Sequence, residues 1–240
     1  MAKSTITWVA RVDSTDAARR VNLTVKAAIV IAFAIAIAVP LDHLDGKAMP
    51  MRVPLFVGSA LVVPLVERFR RHPFDPYPHV ADALVVAPFL LDTIGNLLGA
   101  YEWFDRTDDV LHFVNWVLLV SAYEAFHFRR TTRTDGAVLL GYGVGAIAII
   151  WWEVLEWLIA ETGAGGGLHL DYGDTIGDLI LSSTGGLVGG LVGRHLFARP
   201  VEGPDPRRSR PPTVSSERRE AETARDLGED PVESPAPDGG

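Results

Sequence analysis

The chain has 240 residues, of which 48% are hydrophobic, with a mean hydropathy of +0.19 and a formal net charge of −8. This composition, with several apolar runs of about 20 residues, exceeds what the core of a soluble domain needs and predicts a polytopic membrane protein. The absence of cysteine excludes disulfides, thiolate metal sites and thiol nucleophiles. Basic residues gather at the ends of the apolar runs, so a nucleic-acid partner is not expected.

The N-terminal residues 1–20 are polar and basic, and we interpret them as a cytoplasmic arm. The first apolar run, residues 21–41, alternates large and small side chains, but at this length it is a transmembrane helix and not a strand. A cleaved signal peptide is the alternative, because Ala36 and Ala38 fit a small-x-small cleavage site. The apolar stretch is long for such a peptide, which favours the helix.

Five further apolar runs follow along the chain, at residues 51–69, 80–100, 107–128, 136–160 and 175–197. Pro54 and Pro64 interrupt the first of these, and the proline-rich segment HPFDPYPH after it cannot remain helical. The last run contains Gly185, Gly189 and Gly193 in a small-xxx-small series, which lets helix backbones approach closely in lipid. The last helix is therefore predicted to lie centrally in the bundle.

The orientation of the bundle follows from its lysines and arginines. They concentrate in the arm, near residues 68–71 and 129–133, and in the tail, whereas the intervening loops hold only Lys47, Arg52 and Arg106. Because cytoplasmic loops carry the excess of basic residues, both termini are predicted to be cytoplasmic. The bilayer is accordingly the first predicted partner.

We therefore predict an all-α transmembrane bundle of about six spans in a bacterial plasma membrane. Its predicted parts are the cytoplasmic arm at 1–20, the membrane domain at 21–199 and a cytoplasmic tail at 200–240. The tail is rich in proline, arginine, glutamate and glycine and has almost no large apolar residues, so we expect it to be disordered.

Polar residues of the last four spans gather at the predicted outer ends. They are Asp92 and Asn96 in the third span, Asp108, Asp109, His112 and Asn115 in the fourth, Glu153 and Glu156 in the fifth, and Asp171, Asp174 and Asp178 at the sixth. Within each helix most of these lie three or four residues apart and share a face. Ionisable side chains inside a bilayer are costly and by default mark a functional site.

These residues predict one outer site. The candidate catalytic residues are Asp109, His112, Glu153, Glu156 and Asp178. The candidate metal ligands are Asp92, Asp109, His112, Glu153, Glu156, Asp174 and Asp178. A rim is expected from Tyr101, Glu102, Asp105 and His169.

A purely structural interpretation of the same residues remains open. Asp109 would suit the positive end of a helix dipole, and Asp174 would cap a helix. Glu153 and Glu156 are harder to explain in this way, because they close a helix at its negative end. The alternative to a functional site is thus a network of hydrogen bonds between helices.

Three motifs carry a resemblance to known membrane proteins. They are D-x-x-H-F at Asp109, His112 and Phe113, E-x-x-E at Glu153 and Glu156, and a polar and glycine series at Asp178, Ser182, Gly185 and Gly189. The pattern resembles the VanZ-like proteins and the similar YjdF-type bacterial inner-membrane proteins. Where VanZ-like chains commonly have D-K-x-x-H, this chain has Asp108 and Asp109 before His112, so the lysine is missing, and an asparagine expected near Ser182 is absent. The resemblance implies an envelope protein and does not define a reaction.

Three classes of function fit the predicted site. Carboxylates with one imidazole and no thiol suit a divalent cation such as Mg, Mn, Zn or Fe, which could activate water against an envelope or lipid-linked substrate. The second class is a small transporter or proton-coupled carrier. The third is a non-enzymatic envelope factor that binds a lipid headgroup. Whether the protein is an enzyme, and whether it holds any cofactor, is left open between them.

The six-span topology makes a direct prediction. Because the basic cluster at 129–133 should be cytoplasmic and residues 102–106 external, reporter fusions after Arg133 and at Asp105 should report opposite sides. Finding both reporters on the same side would remove the six-span topology, and the one-sided polar site with it.

Overall fold

The structure is a computed structural model and describes residues 8–45, 47, 49–131, 133–161 and 172–198. In these ranges the regular structure is helical and contains no strand, which confirms the predicted all-α class. The tail at 200–240, the first seven residues of the arm, Asp171 and His169 lie outside the described residues.

The helices follow the predicted apolar runs to within a few residues. They are α1 (Trp8–Asp13), α2 (Asp16–Ala38), α3 (Met49–Phe56), α4 (Ser59–Phe69), α5 (His79–Leu97), α6 (Ala100–Trp103), α7 (Thr107–Phe128), α8 (Ala137–Glu161) and α9 (Tyr172–Phe197), with a 3-10 turn at Asp42–Leu44. The second predicted span is thus two helices, with a break at residues 57–58 where the backbone nitrogen of Gly58 bonds the carbonyl oxygen of Val53 and not that of Pro54. The proline-rich segment after α4 is not helical, as predicted.

Five helical stretches of the described chain are long and apolar enough to cross a membrane: α2, α3 with α4, α5, α8 and α9. The sixth predicted span, α7, has 22 residues and is about 33 Å long, which is enough to span, but it is more polar. It packs against α5, α8 and α9, so its polar side chains can face protein and avoid lipid. We therefore treat α7 as the sixth span.

Contacts between loops show that the spans alternate in direction. At one end, Lys47 pairs with Glu102 at 2.5 Å, and His43 Nε2 lies 3.2 Å from the carbonyl oxygen of Leu97. We call this the outer end and the opposite end the inner end, following the predicted orientation. At the inner end the ring of Trp8 stacks on that of Phe197, with centroids 6.3 Å apart.

The described part of the N-terminal arm packs against the bundle at the inner end. Val9 is fully buried, and the Asp13 carboxylate accepts hydrogen bonds from Arg129 and from the backbone nitrogen of Val80. Burial raises the pKa of Asp13 to about 6, although Arg129 acts in the opposite direction. The arm is therefore joined to α5 and to the end of α7.

The backbones of α7 and α9 approach each other closely at two glycines of α9. A Cβ atom added at Gly185 would lie 2.2 Å from the carbonyl oxygen of Phe113, and one added at Gly189 would lie 2.5 Å from that of Val117. Only glycine leaves room for this approach, which explains the small-xxx-small series. The last helix is thus packed directly on α7.

This packing predicts opposite results for two glycines on one helix. Gly189→Ala should destabilise the bundle by roughly 1–3 kcal/mol, because its Cβ meets backbone that cannot move away without separating the helices. Gly186→Ala should be tolerated, because its Cβ would only reach ordinary contact with Val120, 3.5 Å away. Melting temperatures of the two purified variants check the prediction. Equal losses would contradict the close contact at Gly189.

Candidate functional site

The site is built around the imidazole of His112, near the outer ends of α7 and α9. His112 Nε2 lies 3.8 Å from Asp108 Oδ1 and 3.7 Å from Asp178 Oδ1. Its Nδ1 lies 3.0 Å from the hydroxyl oxygen of Ser182. We call Asp108, His112 and Asp178 the acid–histidine group, since one ligand atom from each lies within 4.8 Å of the others.

Helix periodicity places these four side chains. Asp108 and His112 are four residues apart on α7, and Asp178 and Ser182 are four residues apart on α9, so each pair lies on one helix face. Toward the inner end, Gly185 and Gly189 of α9 allow the two helices to pack closely. The two faces therefore meet at His112.

The group is largely enclosed but opens on one side. The side chains of His112 and Asp178 are 11% and 7% exposed, whereas that of Asp108 is 46% exposed. Solvent or a ligand can therefore reach the group past Asp108.

Further carboxyls surround the group from α8 and α9. Glu153 interacts electrostatically with all three of its members and with Asp174. Glu153 Oε1 is buried and has no hydrogen-bond partner among the described residues, and Glu156 lies close enough to interact with Glu153. The structure therefore brings these predicted candidates to the neighbourhood of His112.

The two neighbouring aspartates at the start of α7 have different partners. Asp109 accepts a hydrogen bond from Arg106 at 2.9 Å, with its side chain 37% exposed. Asp108 instead turns toward His112. The acid–histidine group thus contains Asp108, which was not among the predicted metal ligands, whereas the predicted ligand Asp109 lies in a surface ion pair.

Asp92 forms a neighbouring polar group with residues of the predicted rim. It accepts hydrogen bonds from Tyr101, from Asn96 at 3.2 Å and from Arg52 at 3.5 Å. Burial, reinforced by the Asp92 charge, raises the pKa of Tyr101. Asp92 is close enough to His112 to interact with it electrostatically, although Tyr101, Asn96 and Arg52 already bond its oxygens.

The rest of the rim is more exposed. The Lys47 ammonium, hydrogen-bonded to Glu102, lowers the pKa of that carboxyl. Asp105 is exposed. These residues lie at the outer end without joining the acid–histidine group.

Two features were missed by sequence reasoning. The first is Glu124 on α7, which is fully buried, and its signal was a carboxylate inside an apolar run. The second is a network at the inner end around Asp82, which binds Lys26 at 2.5 Å, Asn22 at 2.8 Å and Tyr77 at 2.7 Å. Its members come from distant parts of the chain, and no local spacing connects them.

The distances within the acid–histidine group suit ligands of one ion. At 3.7 and 3.8 Å, the two carboxylate oxygens are too far from Nε2 for direct hydrogen bonds. Two ligands of a tetrahedral ion with bonds of about 2.1 Å would lie roughly 3.4 Å apart. A small inward movement would therefore allow the three atoms to bind one cation.

Comparison with known proteins identifies a family whose description names no activity. Residues 20–199 match the family described as "Predicted membrane protein (DUF2238)". No curated protein and no solved structure is significantly similar to the chain. The match covers 180 of the 240 residues.

Proposed function

This chain belongs to the DUF2238 family of predicted membrane proteins, and we propose that it binds a divalent cation in the acid–histidine group at the outer end of the bundle. The observation that carries the proposal is the position of His112 Nε2 between two carboxylates, at 3.8 Å from Asp108 and 3.7 Å from Asp178.

The contact with Ser182 supports this role for His112. A histidine that binds a metal through one nitrogen commonly bonds a protein group through the other, which fixes its ring orientation. Nδ1 of His112 has such a partner in the Ser182 hydroxyl, 3.0 Å away. Nε2 therefore remains directed at the two carboxylates.

The balance of charge also supports a cation. Asp108, Asp178 and Glu153 interact with one another electrostatically, and Asp174 adds to the same field. The nearby arginines are already engaged, since Arg106 pairs with Asp109 and Arg52 with Asp92. A bound divalent ion would offset the repulsion between these carboxylates.

The donor set restricts the ion and the chemistry. Carboxylates with one imidazole suit Mg, Mn, Zn or Fe, and three protein ligands leave at least one position open for water or a substrate oxygen. An ion at this place could activate water against an envelope or lipid substrate, which would make the protein a metal-dependent enzyme of the bacterial plasma membrane. The likeness to VanZ-like proteins agrees with an envelope role and remains a prediction.

The other predicted classes differ in what they require. A carrier would move the ion or protons across the bilayer, so flux into proteoliposomes would favour it. A factor that binds a lipid headgroup would need no bound metal. Metal content after purification therefore separates the enzyme from the headgroup-binding factor.

Adjacent aspartates provide a matched test of the cation site. In the wild type, a divalent ion at 100 times its Kd should stabilise the folded state by about 2.7 kcal/mol. Asp108→Asn and Asp178→Asn should lose most of this effect, because each keeps the side-chain shape but removes an anionic ligand. Asp109→Asn, which removes the same charge one residue away, should keep it. Melting curves with and without each of Mg, Mn, Zn and Fe measure the difference.

Two outcomes would overturn the cation site. One is the absence of an ion-dependent shift in the wild type for all four metals. The other is an equal loss in Asp108→Asn and Asp109→Asn, which would indicate a general effect of surface charge.

A further inference from the structure

Glu124 is a carboxyl without a partner inside the bundle. It lies on α7, one turn before the helix ends at Phe128, and its exposure is 0%. Neither of its side-chain oxygens has a hydrogen-bond partner among the described residues. At 1.5 Å per residue it is about 18 Å further along α7 than His112, so it does not belong to the acid–histidine group.

Glycines on two other helices make the space that Glu124 occupies. A Cβ atom added at Gly141 of α8 would lie 2.4 Å from Glu124 Oε1. One added at Gly193 of α9 would lie 2.5 Å from Glu124 Cβ. Glycines on both α8 and α9 therefore leave the space that the Glu124 side chain fills.

The charges around Glu124 do not balance a carboxylate. The titratable residues next to its contacts are Tyr123 and His127 on α7, Tyr142 on α8, and Arg194 and His195 on α9. Of these residues, Tyr123 interacts electrostatically with Glu124, and its ring stacks with that of His127. A phenol cannot neutralise a carboxylate. Among the described residues, no cationic side chain bonds either oxygen of Glu124.

A carboxylate in these surroundings would be costly to bury. Among the described residues neither a basic partner nor a hydrogen-bond donor replaces the hydration that its charge would lose on burial. A carboxyl that carries a proton avoids most of this cost. The smallest ligand that fits a space already closed by glycine backbones is that proton.

We propose that Glu124 is a proton-binding site within the membrane domain, and that the bound proton allows α8 and α9 to close on α7 at Gly141 and Gly193. Loss of the proton would leave a bare carboxylate that draws in water and separates these helices. Release and uptake would take place at the nearby inner end, where α7 ends. The site is independent of any cation at the outer end.

Infrared spectroscopy tests the proposal directly on the full chain in lipid vesicles. A protonated carboxyl has a C=O stretch that a carboxylate lacks and that shifts in D2O. The wild type at neutral pH should show such a band, and the difference between the wild type and Glu124→Gln should contain it. A carboxylate band in place of the protonated band in that difference spectrum would refute the proton site.

Thermal stability provides a second, independent measurement. Gln has the shape of a protonated glutamate, so Glu124→Gln should fold and melt like the wild type at low pH. As pH rises above the ordinary range of a glutamate pKa, the unfolded state loses this proton while the native state keeps it, so the wild type should lose stability relative to Glu124→Gln. The gap between their melting temperatures should widen by several degrees. A constant gap across the pH range would overturn the proposal.

A contrasting variant excludes a general effect of removing a buried acid. Asp82 is equally buried but pairs with Lys26, so Asp82→Asn should lower the melting temperature where Glu124→Gln does not.

If Glu124→Gln fails to fold while Glu124→Asp folds, the charge is required and the proton site is wrong. If Na⁺ or Mg²⁺ stabilises the wild type and Asp108→Asn but not Glu124→Gln, Glu124 holds a metal cation, which also overturns it.

Discussion

The contact between α7 and α9 positions both the acid–histidine group and Glu124. Because Gly185 and Gly189 leave no side chain between the helices, the backbones of α7 and α9 lie closer than ordinary packing allows. This closeness brings His112 within 3.7 Å of Asp178, so the outer group exists only while the helices touch. The same contact continues at Gly193 to the inner side, where it encloses Glu124. One row of glycines thus supports two chemically different sites.

Hydropathy and charge were sufficient to predict the helices and the common end at which their polar residues lie. The apolar runs set the helices, and helix spacing correctly indicated that His112 and Asp178 belong to one polar region. Spacing could not choose between Asp108 and Asp109, because residues three and four positions before His112 both lie on its side of the helix. The choice depends on how α7 is rotated against α9, and on Arg106, which attracts Asp109.

The inner end could not be predicted for a different reason. The predicted orientation of the bundle already explains basic residues at this end, so the sequence indicates no partner for Arg129 or Lys26. In the structure both form ion pairs: Arg129 with Asp13, and Lys26 with Asp82, which is fully buried. These pairs join segments far apart in sequence, and only the assembled bundle brings them together. A basic residue at a helix end can therefore orient a membrane protein and hold its arm in place.

The two acidic regions of α7 show how surroundings decide the chemistry of a carboxyl. Asp108 and Asp178 share an imidazole, a hydroxyl behind it and an exposed side at Asp108, so several oxygens and one nitrogen can converge on an ion. Glu124 lies against glycines of two helices, and among the described residues no second group bonds its oxygens, so a metal ion there would find one carboxylate. A metal needs several donors, whereas a proton needs one. The glycines that close around Glu124 therefore favour the proton by excluding every larger ligand.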